Sequence, residues 1–206
     1  MDNLFPLQLK RLSSKSVLLP FDRGNKDLTD YFFNLAKKDI AKLLTVVYYY
    51  ELGGKTAFFF TLSNDKISEI EIKGHEPLYS KSFFRRIKDK FGRAKHRRDY
   101  PAVKIGRLGV NKEFQGKGLH LGSEALNFIK RWMITDNKTG CCFITVDAYA
   151  TAVEFYLKNE FLFMGEKERS GYEKWLKENP DYKTKEISGD IPTFAMYFNL
   201  LSLIED

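Results

Sequence analysis

The sequence predicts a single α/β domain spanning residues 1–206, in which a mixed, mostly antiparallel sheet is flanked by helices. Three observations support this fold class. The chain has 206 residues, enough for one domain with a sizeable core. Its 18 Phe and 11 Tyr favour a strand-rich core over a helical bundle. Segments with strand-like and helix-like patterns alternate along its length.

The individual elements follow from local patterns. Apolar, β-branched or aromatic runs predict strands at residues 7–12, 44–52, 57–62, 103–110, 141–146, 161–165 and 193–200. Apolar side chains at helical spacing predict helices at residues 28–40, 80–91, 121–134 and 150–158. Gly53 and Gly54 are a hairpin signal between the second and third strands. Turn-forming residues at 63–65 predict the end of the third strand.

Two segments interrupt this alternation. Residues 68–100 form a basic insert, in which the window from Lys81 to Arg98 holds nine basic residues and one acid. That window has a net charge of +8, so the rest of the chain, with an overall charge of +7, carries −1. Residues 166–190 are charged and contain Gly, Pro and Ser, which predicts a second insert or a long loop.

Composition excludes several classes of protein. No run of about 18 apolar residues is present, so no membrane span is expected, and no signal peptide is recognisable. Cys141 and Cys142 are adjacent in a predicted strand and point to opposite faces, so a disulfide between them is not expected. The histidines are scattered, which predicts no metal site. A reducing cytoplasm fits these features best.

The most specific functional signal begins in a predicted strand that contains Gly106 and Gly109. Glycine inside a strand indicates a bulge or a ligand close to the backbone. A polar loop with Gly116 and Gly118 follows and leads directly into a helix ending beyond Trp132. Such a helix start leaves N–H groups unpaired, and with the helix dipole these suit a pyrophosphate.

Nearby lysines strengthen this interpretation, since Lys112 and Lys117 add positive charge. Two other phosphate motifs do not fit. A P-loop needs Ser or Thr after Gly-Lys, and here Gly118 follows Lys117. A dinucleotide fingerprint needs its third glycine one position before Gly122. That fingerprint also follows an early strand of a parallel sheet, whereas this loop lies in the middle of the chain. The residues alone therefore predict a site for a phosphate-bearing ligand.

In this loop the sequence resembles the GNAT N-acetyltransferases. Their signature, Gln/Arg-x-x-Gly-x-Gly/Ala, lies between a strand and a helix. Gln115 and Gly118 match its first and central positions, and His120 stands where a small residue is usual.

A second block further along the chain resembles the same family. Val146-Asp-Ala148 is similar to the family's strand, and Phe155-Tyr156 with Phe161 is similar to its FYxxxGF motif. Glu160 stands where the family usually has Gly. The two blocks occur in the family's order, and the resemblance covers residues 103–165.

The resemblance implies an acetyl-CoA-dependent N-acetyltransferase with a GNAT-like acyl-CoA fold. Backbone amides at Leu108, Gly109 and Val110 would hold the pantetheine. The pyrophosphate would be bound by the loop of Gln115, Gly116, Lys117, Gly118, Leu119 and His120. Tyr156 matches the tyrosine that protonates the departing CoA thiolate. An amine would attack the thioester directly, with the Val110 N–H as oxyanion donor.

Several alternatives stay open at this point. Tyr156 on an aromatic helix face is also compatible with a core position, and His120 with a solvent-facing helix start. The two cysteines fit a strand core better than a nucleophile. The general base is a water chain or one of four carboxylates, namely Glu51, Glu69, Glu71 and Asp147.

The acceptor is addressed by two further features. Phe21-Asp22-x-Gly24 before a Leu-containing helix resembles GNAT toxins that acetylate aminoacyl-tRNA. The window from Lys81 to Arg98 is then an RNA-binding surface, or else only a solvated face. Other readings are a small amine or a protein amine as acceptor, and a non-catalytic protein that binds CoA or nucleic acid. A homodimer also stays open.

Overall fold

The computed structural model describes residues 9–24, 26–68, 99–135, 137, 140–184 and 190–204. The predicted helix at 80–91 and the basic window lie outside these residues. The chain divides into two compact units. The first consists of Met1–Ser63 and Lys104–Trp132, and the second of Asn64–Val103 and Met133–Asp206.

The described elements follow the predicted order. The strands are β1 (Lys10–Arg11), β2 (Val46–Leu52), β3 (Lys55–Ser68), β4 (Asp99–Val110), β5 (Phe143–Tyr149), β6 (Leu162–Phe163) and β7 (Thr193–Asn199). The α-helices are α1 (Lys26–Asp30), α2 (Ala36–Ala41), α3 (Leu121–Thr135), α4 (Val153–Lys158) and α5 (Glu166–Glu178). A π-helical turn, Tyr31–Leu35, joins α1 to α2. Short 3₁₀ turns lie at Lys112–Phe114, Ala150–Ala152 and Leu200–Leu203.

The strands form one sheet in the order β1-β2-β3-β4-β5-β7-β6. The pairs β1–β2, β2–β3, β5–β7 and β6–β7 are antiparallel. The N–H of Cys142 donates to the carbonyl of Pro101 at 2.8 Å, which joins the beginnings of β5 and β4. Strands whose beginnings are neighbours run parallel. The predicted mixed α/β fold is therefore confirmed.

The hairpin between β2 and β3 forms where it was predicted. Gly53 and Gly54 have φ angles of 57° and 74°, and Leu52 pairs with Lys55 across them. Positive φ at both central residues is the requirement of a type I′ turn, whose twist matches that of the two strands. Glycine meets this requirement without a steric cost.

Aromatic residues form the core of the first unit between the sheet and the helical segment of α1, the π-turn and α2. The Phe32 ring stacks on Phe59 at 4.6 Å, and Phe21 packs edge-on against Phe59 at 5.2 Å. The opposite face of the sheet carries Tyr48, whose ring meets Trp132 of α3 at 5.0 Å. Helices therefore cover both faces of the sheet in this unit.

The predicted end of β3 at residues 63–65 is wrong, because the strand continues to Ser68. Its second half alternates between more and less exposed positions, the period of a strand with one solvated face. Polar partners hold it in place. Asp65 accepts a hydrogen bond from Thr145, and Asp99 pairs with Lys66 at 3.0 Å and accepts from Ser68 at 2.7 Å.

The interpretation of residues 166–190 as a long loop is wrong for its first half, which forms α5. Tyr172 and Trp175 are buried and lie three residues apart, on one face of the helix. Tyr172 packs against Phe163 of β6 and Phe194 of β7, at 5.7 and 5.6 Å. With so few apolar residues, the helical period was hidden among charged ones.

The helix predicted at 121–134 is confirmed as α3, and its buried positions include Leu121, Ala125, Ile129 and Met133. The helix predicted at 150–158 is also present, as a 3₁₀ turn followed by α4. Within the part of the chain that the structure describes, no helix has the length and apolar character needed to cross a bilayer.

Candidate anion-binding site

The two glycines of β4 are required by the chain's own side chains. A Cβ at Gly106 would lie 2.9 Å from Thr61 Oγ1, and one at Gly109 would lie 2.9 Å from the Phe59 ring. Thr61 and Phe59 are two residues apart, whereas the glycines that meet them are three apart. The N–H of Arg107 donates to Thr61 Oγ1 at 2.9 Å. Three residues of β4 against two of β3 indicate an extra residue in β4, a β-bulge, which is one of the two outcomes predicted for a glycine-bearing strand.

The exit from β4 is organised by Asn111, a residue that sequence reasoning missed. Its side chain is buried, donates to the Thr56 carbonyl at 3.0 Å and accepts from the Glu113 N–H at 3.1 Å. It therefore caps the 3₁₀ turn that follows the strand. An Asn between a strand and a polar loop is a capping signal that was available in the sequence.

The predicted loop from Gln115 to His120 has an unusual backbone. Gly116, Gly118 and His120 have φ angles of 70°, 72° and 45°, and the residues between them do not have positive φ. Left-handed residues at alternate positions are one half of the αR-αL backbone pattern that turns successive N–H groups into an anion-binding concavity. A Cβ at Gly116 or Gly118 would meet nothing within 4 Å, so these glycines serve the conformation and not the packing.

The amides of this loop are available to a ligand. On the entry side, the Gln115 N–H donates to the Lys112 carbonyl at 3.2 Å, and the next backbone bond runs from Glu124 N–H to the His120 carbonyl at 3.0 Å. Within the described residues, the amides of Gly116 to Leu119 have no protein acceptor. They lie at the start of α3, where the helix dipole also favours an anion.

The side chain of Gln115 fixes the loop to the strand that precedes it. Its Nε2 donates to the Val110 carbonyl at 2.7 Å and to the Arg23 carbonyl at 3.3 Å. The family's first signature position thus has a structural role here. Leu108, Gly109 and Val110 form the last residues of β4, directly before this junction.

The two lysines near the loop have different surroundings. The ammonium of Lys112 lies 2.6 Å from the Asp22 carboxylate, which also accepts from the Gly24 N–H at 2.7 Å. The lysine's hydrogen bond and the Gly24 amide lower the pKa of Asp22, and the same pair raises the pKa of Lys112. Lys117, between the two glycines of the loop, is exposed.

Tyr156 lies in the second unit, on α4, and is 6% exposed. Its ring packs edge-on against Phe155 and Phe161, each at 5.2 Å. Both sequence interpretations, a core tyrosine and a proton donor, are compatible with this position.

The second family block has a clear structural meaning at the end of α4. The Phe161 N–H donates to the Tyr156 carbonyl, and the Glu160 N–H donates to the Leu157 carbonyl, each at 3.0 Å. This bonding pattern, with contact between the Tyr156 and Phe161 rings, is a Schellman motif. Glu160 occupies its left-handed position with φ of 65°, which explains why the family usually has Gly there.

The candidate general bases are spread over the chain. Glu51 on β2 is paired with Lys10 of β1 in the first unit. Asp147 lies on β5 in the second unit, at an exposed position. Glu69 and Glu71 lie outside the described residues. Among the residues that the structure describes, no group of three or more His, Cys, Asp or Glu side chains is arranged to hold a metal.

Comparison with known proteins gives a result only at the level of structure. No family model and no curated protein sequence matches the chain. A solved structure described as a bacterial toxin is 13% identical with a TM-score of 0.63, and the match covers 97% of this chain and 95% of that one. AtaT complexed with acetyl-methionyl-tRNAfMet is 17% identical with a TM-score of 0.61, covering 97% and 98%. AtaTR bound with AcCoA is 17% identical with a TM-score of 0.55, covering 97% and 96%.

The chain therefore has the GNAT fold, as the two sequence blocks predicted. The similar solved structures include AtaT and KacT, which are toxins of this fold. The match extends over nearly the whole length of both chains. At identities of 13–17%, the likeness establishes the fold. The loop from Gln115 to His120 lies at a strand-to-helix junction and Tyr156 lies on a short helix, as the order of elements in the sequence predicted.

Proposed function

We propose that this protein is an N-acetyltransferase that transfers the acetyl group of acetyl-CoA to the α-amine of an aminoacyl-tRNA. The observation that carries the proposal is the row of unpaired amides from Gly116 to Leu119, at the start of α3 and just after a bulged strand. In a GNAT fold, amides at this junction suit the pyrophosphate of CoA. A structure with the same fold contains acetyl-CoA.

The coenzyme would be held by the first unit. The amides of the loop would bind the pyrophosphate, and Lys117 would add a charge-assisted contact. Leu108, Gly109 and Val110 would pair with the pantetheine as an additional strand would. Acetyl-CoA supplies the thioester, and the chain's amides would stabilise negative charge on the carbonyl oxygen during attack.

Tyr156 is proposed as the general acid. As the amine attacks the thioester carbon, the C–N bond forms, the C–S bond breaks and the thiolate leaves. The attacking nitrogen would lose its proton to the general base, which is a water chain or one of the four candidate carboxylates. The phenol of Tyr156 would give its proton to that sulfur. This role rests on the family motif, and the Schellman contacts with Phe161 support it by fixing the end of the helix that carries the tyrosine.

An aminoacyl-tRNA is the proposed acceptor for two reasons. The Phe21-Asp22-x-Gly24 segment resembles that of the GNAT toxins, and a structure with the same fold is a complex with acetyl-methionyl-tRNAfMet. The basic window from Lys81 to Arg98 would supply contacts to RNA phosphates. A salt-dependent affinity that falls when Arg85, Arg86, Arg97 and Arg98 are changed to Ala is expected.

The decisive experiment is an acetyl-transfer screen with radiolabelled acetyl-CoA. Charged elongator and initiator tRNAs, polyamines and peptides with free N-termini are offered side by side. We expect label to enter the charged tRNA fraction and to be absent from uncharged tRNA. Transfer to polyamines or peptides alone would replace the proposed acceptor, and no transfer with retained CoA binding would indicate a non-catalytic protein.

Tyr156→Phe tests the general acid in the same assay. We expect kcat to fall by about 10²–10⁴-fold, the usual contribution of a positioned acid, with acetyl-CoA affinity unchanged. Phe155→Leu, at the neighbouring position, serves as the control for aromatic packing. Equal turnover in Tyr156→Phe and the wild type would assign Tyr156 to the core alone.

A further inference from the structure

In the first unit, the side chain of Arg107 packs on an aromatic ring, on the face of the sheet opposite α3. The guanidinium carbon of Arg107 lies 3.7 Å from the centroid of the Tyr31 ring. Arg107 is half-buried on β4, and Tyr31 is 2% exposed. A guanidinium this close to an aromatic face is held by cation–π attraction, so the arginine is restrained before any ligand arrives.

Two irregular backbone features converge on this contact. Tyr31 is the first residue of the π-turn, and Arg107 follows Gly106 within the β4 bulge. Both π-turns and bulges re-aim side chains and are frequent at functional sites. Here the two side chains that meet lie on two such features.

The tyrosine is a firm support for the arginine. Burial first, and then the nearby Asp39 carboxylate, raise the pKa of Tyr31 to about 12 against the opposing effect of Arg107, which also shares a side-chain hydrogen bond with Tyr31. The hydroxyl therefore stays protonated at neutral pH. The Tyr31 ring also stacks with Phe59 at 6.4 Å. Among the described residues, no carboxylate lies within ion-pair distance of the Arg107 guanidinium. Its charge is therefore not cancelled by a direct partner there.

The placement separates Arg107 from the anion-binding loop. Tyr31 and Phe59 belong to the face covered by α1 and α2, whereas Tyr48 and Trp132 mark the face covered by α3. The loop is the start of α3, so the arginine points to the other face. It nevertheless lies three residues before Val110, about 10 Å along an extended strand. A group bound there would be close to the strand that holds the acyl chain.

We propose that Arg107 binds a phosphate of the polynucleotide acceptor, near the amine that is acetylated. This inference rests on the proposed function and adds to it a specificity residue for the acceptor. The guanidinium has five N–H donors, and its side-chain hydrogen bond with Tyr31 uses only part of that set, so two donors along one edge can still bind two phosphate oxygens. Because Arg107 lies on the same strand as Val110, the phosphate that it binds would belong to the part of the acceptor nearest the reacting amine.

The test uses binding and kinetics of the full chain with uncharged and methionine-charged tRNAfMet. Arg107→Gln is expected to weaken tRNA binding about 10-fold, to reduce the salt slope of binding by about one, and to raise KM for the charged tRNA while KM for acetyl-CoA stays unchanged. Arg131→Gln, an exposed arginine of α3, removes the same charge and is expected to change neither the salt slope nor KM.

Two further variants separate binding from folding. Arg107→Lys keeps the charge without the fork and is expected to recover part of the affinity, and Tyr31→Phe keeps the ring and is expected to bind tRNA like the wild type. Thermal midpoints show whether each variant is folded. An unchanged salt slope in folded Arg107→Gln, wild-type affinity in folded Arg107→Lys, or equal losses in Arg131→Gln would overturn the inference.

The outcomes also distinguish this inference from the proposed function. If tRNA binding depends on Arg107 but no acetyl group is transferred, the proposed function fails and the phosphate contact stands. If charged tRNA is acetylated and the Arg107 variants match the wild type, the contact is wrong and the function stands. If Arg107→Gln raises KM for acetyl-CoA and not for the charged tRNA, Arg107 contacts the coenzyme instead. If the wild-type chain does not bind tRNA at all, the phosphate contact is also refuted.

Discussion

Glu160 and His120 both stand where the family has a smaller residue, and both have positive φ, at 65° and 45°. A side chain with a Cβ pays a steric cost in this region of roughly 1–2 kcal/mol. Both residues therefore occupy a backbone conformation that Gly adopts without this cost.

Replacing Glu160 by Gly tests this explanation. We expect Glu160→Gly to raise the free energy of unfolding by about 0.5–1 kcal/mol, since relief of the left-handed strain exceeds the extra entropy of glycine in the unfolded chain. Urea denaturation measures the change. Glu160→Ala removes the same charge and keeps the strain, so it should show no such gain. Equal gains in both variants would attribute the effect to charge.

At Gly109 we expect the opposite effect of a substitution on the free energy of unfolding. Gly109→Ala places a Cβ 2.9 Å from the Phe59 ring and 3.1 Å from the Phe21 ring, inside the aromatic core. We expect it to lower the free energy of unfolding by about 1–3 kcal/mol, the usual cost of overpacking. In a double-mutant cycle with Phe59→Leu, the penalty for alanine should shrink, because the obstructing ring is smaller. Additive penalties would show that backbone strain, and not the ring, limits this position.

At the scale of single elements, α5 shows how a helix can be hidden in a charged segment. The helix is stabilised by its packing on the sheet. Gly171 allows a close approach to Phe194, because a Cβ at this position would lie only 3.1 Å from the Phe194 ring. In the sequence, Ser and Gly in this segment indicate a break in the helix. The packing of Tyr172 and Trp175 on the sheet outweighs the low helix propensity of Ser170 and Gly171.

Trp175 is the residue through which this packing can be measured. Trp175→Ala is expected to lower the free energy of unfolding by about 3–5 kcal/mol, because it removes a buried indole that contacts Tyr172 and Tyr182. The neighbouring Lys174→Ala, whose side chain is 77% exposed, should change it by less than about 0.5 kcal/mol. Chemical denaturation of the two variants gives the comparison. Similar values would mean that α5 contributes little to the stability of the fold.

At the scale of the whole molecule, coenzyme binding should raise the free energy of unfolding. Acetyl-CoA at about 100 times its Kd is expected to stabilise the fold by about 2.7 kcal/mol, because only the folded loop presents its amides together. Thermal unfolding with and without the ligand measures this. Pantetheine lacks the pyrophosphate and should protect much less at the same concentration. No protection by acetyl-CoA would refute the coenzyme assignment.

The sequence by itself determined the features that depend on neighbours in the chain. Gly53-Gly54 predicted its turn because positive φ is a local requirement. The anion site at Gln115 to His120 remains a prediction, drawn from free amides at a helix start. Two motif blocks in order were enough to predict the GNAT fold. The basic window from Lys81 to Arg98 remains a prediction from charge alone.

Only the tertiary structure decided which side chains serve packing and which are free to bind. It showed that Gly106 and Gly109 make room for Thr61 and Phe59, contacts between strands distant in sequence. It also brought Arg107 onto Tyr31, a pair 107 − 31 = 76 positions apart that no local pattern predicts. Such contacts depend on strand register, bulges and helix packing, which arise only when the whole sheet is assembled.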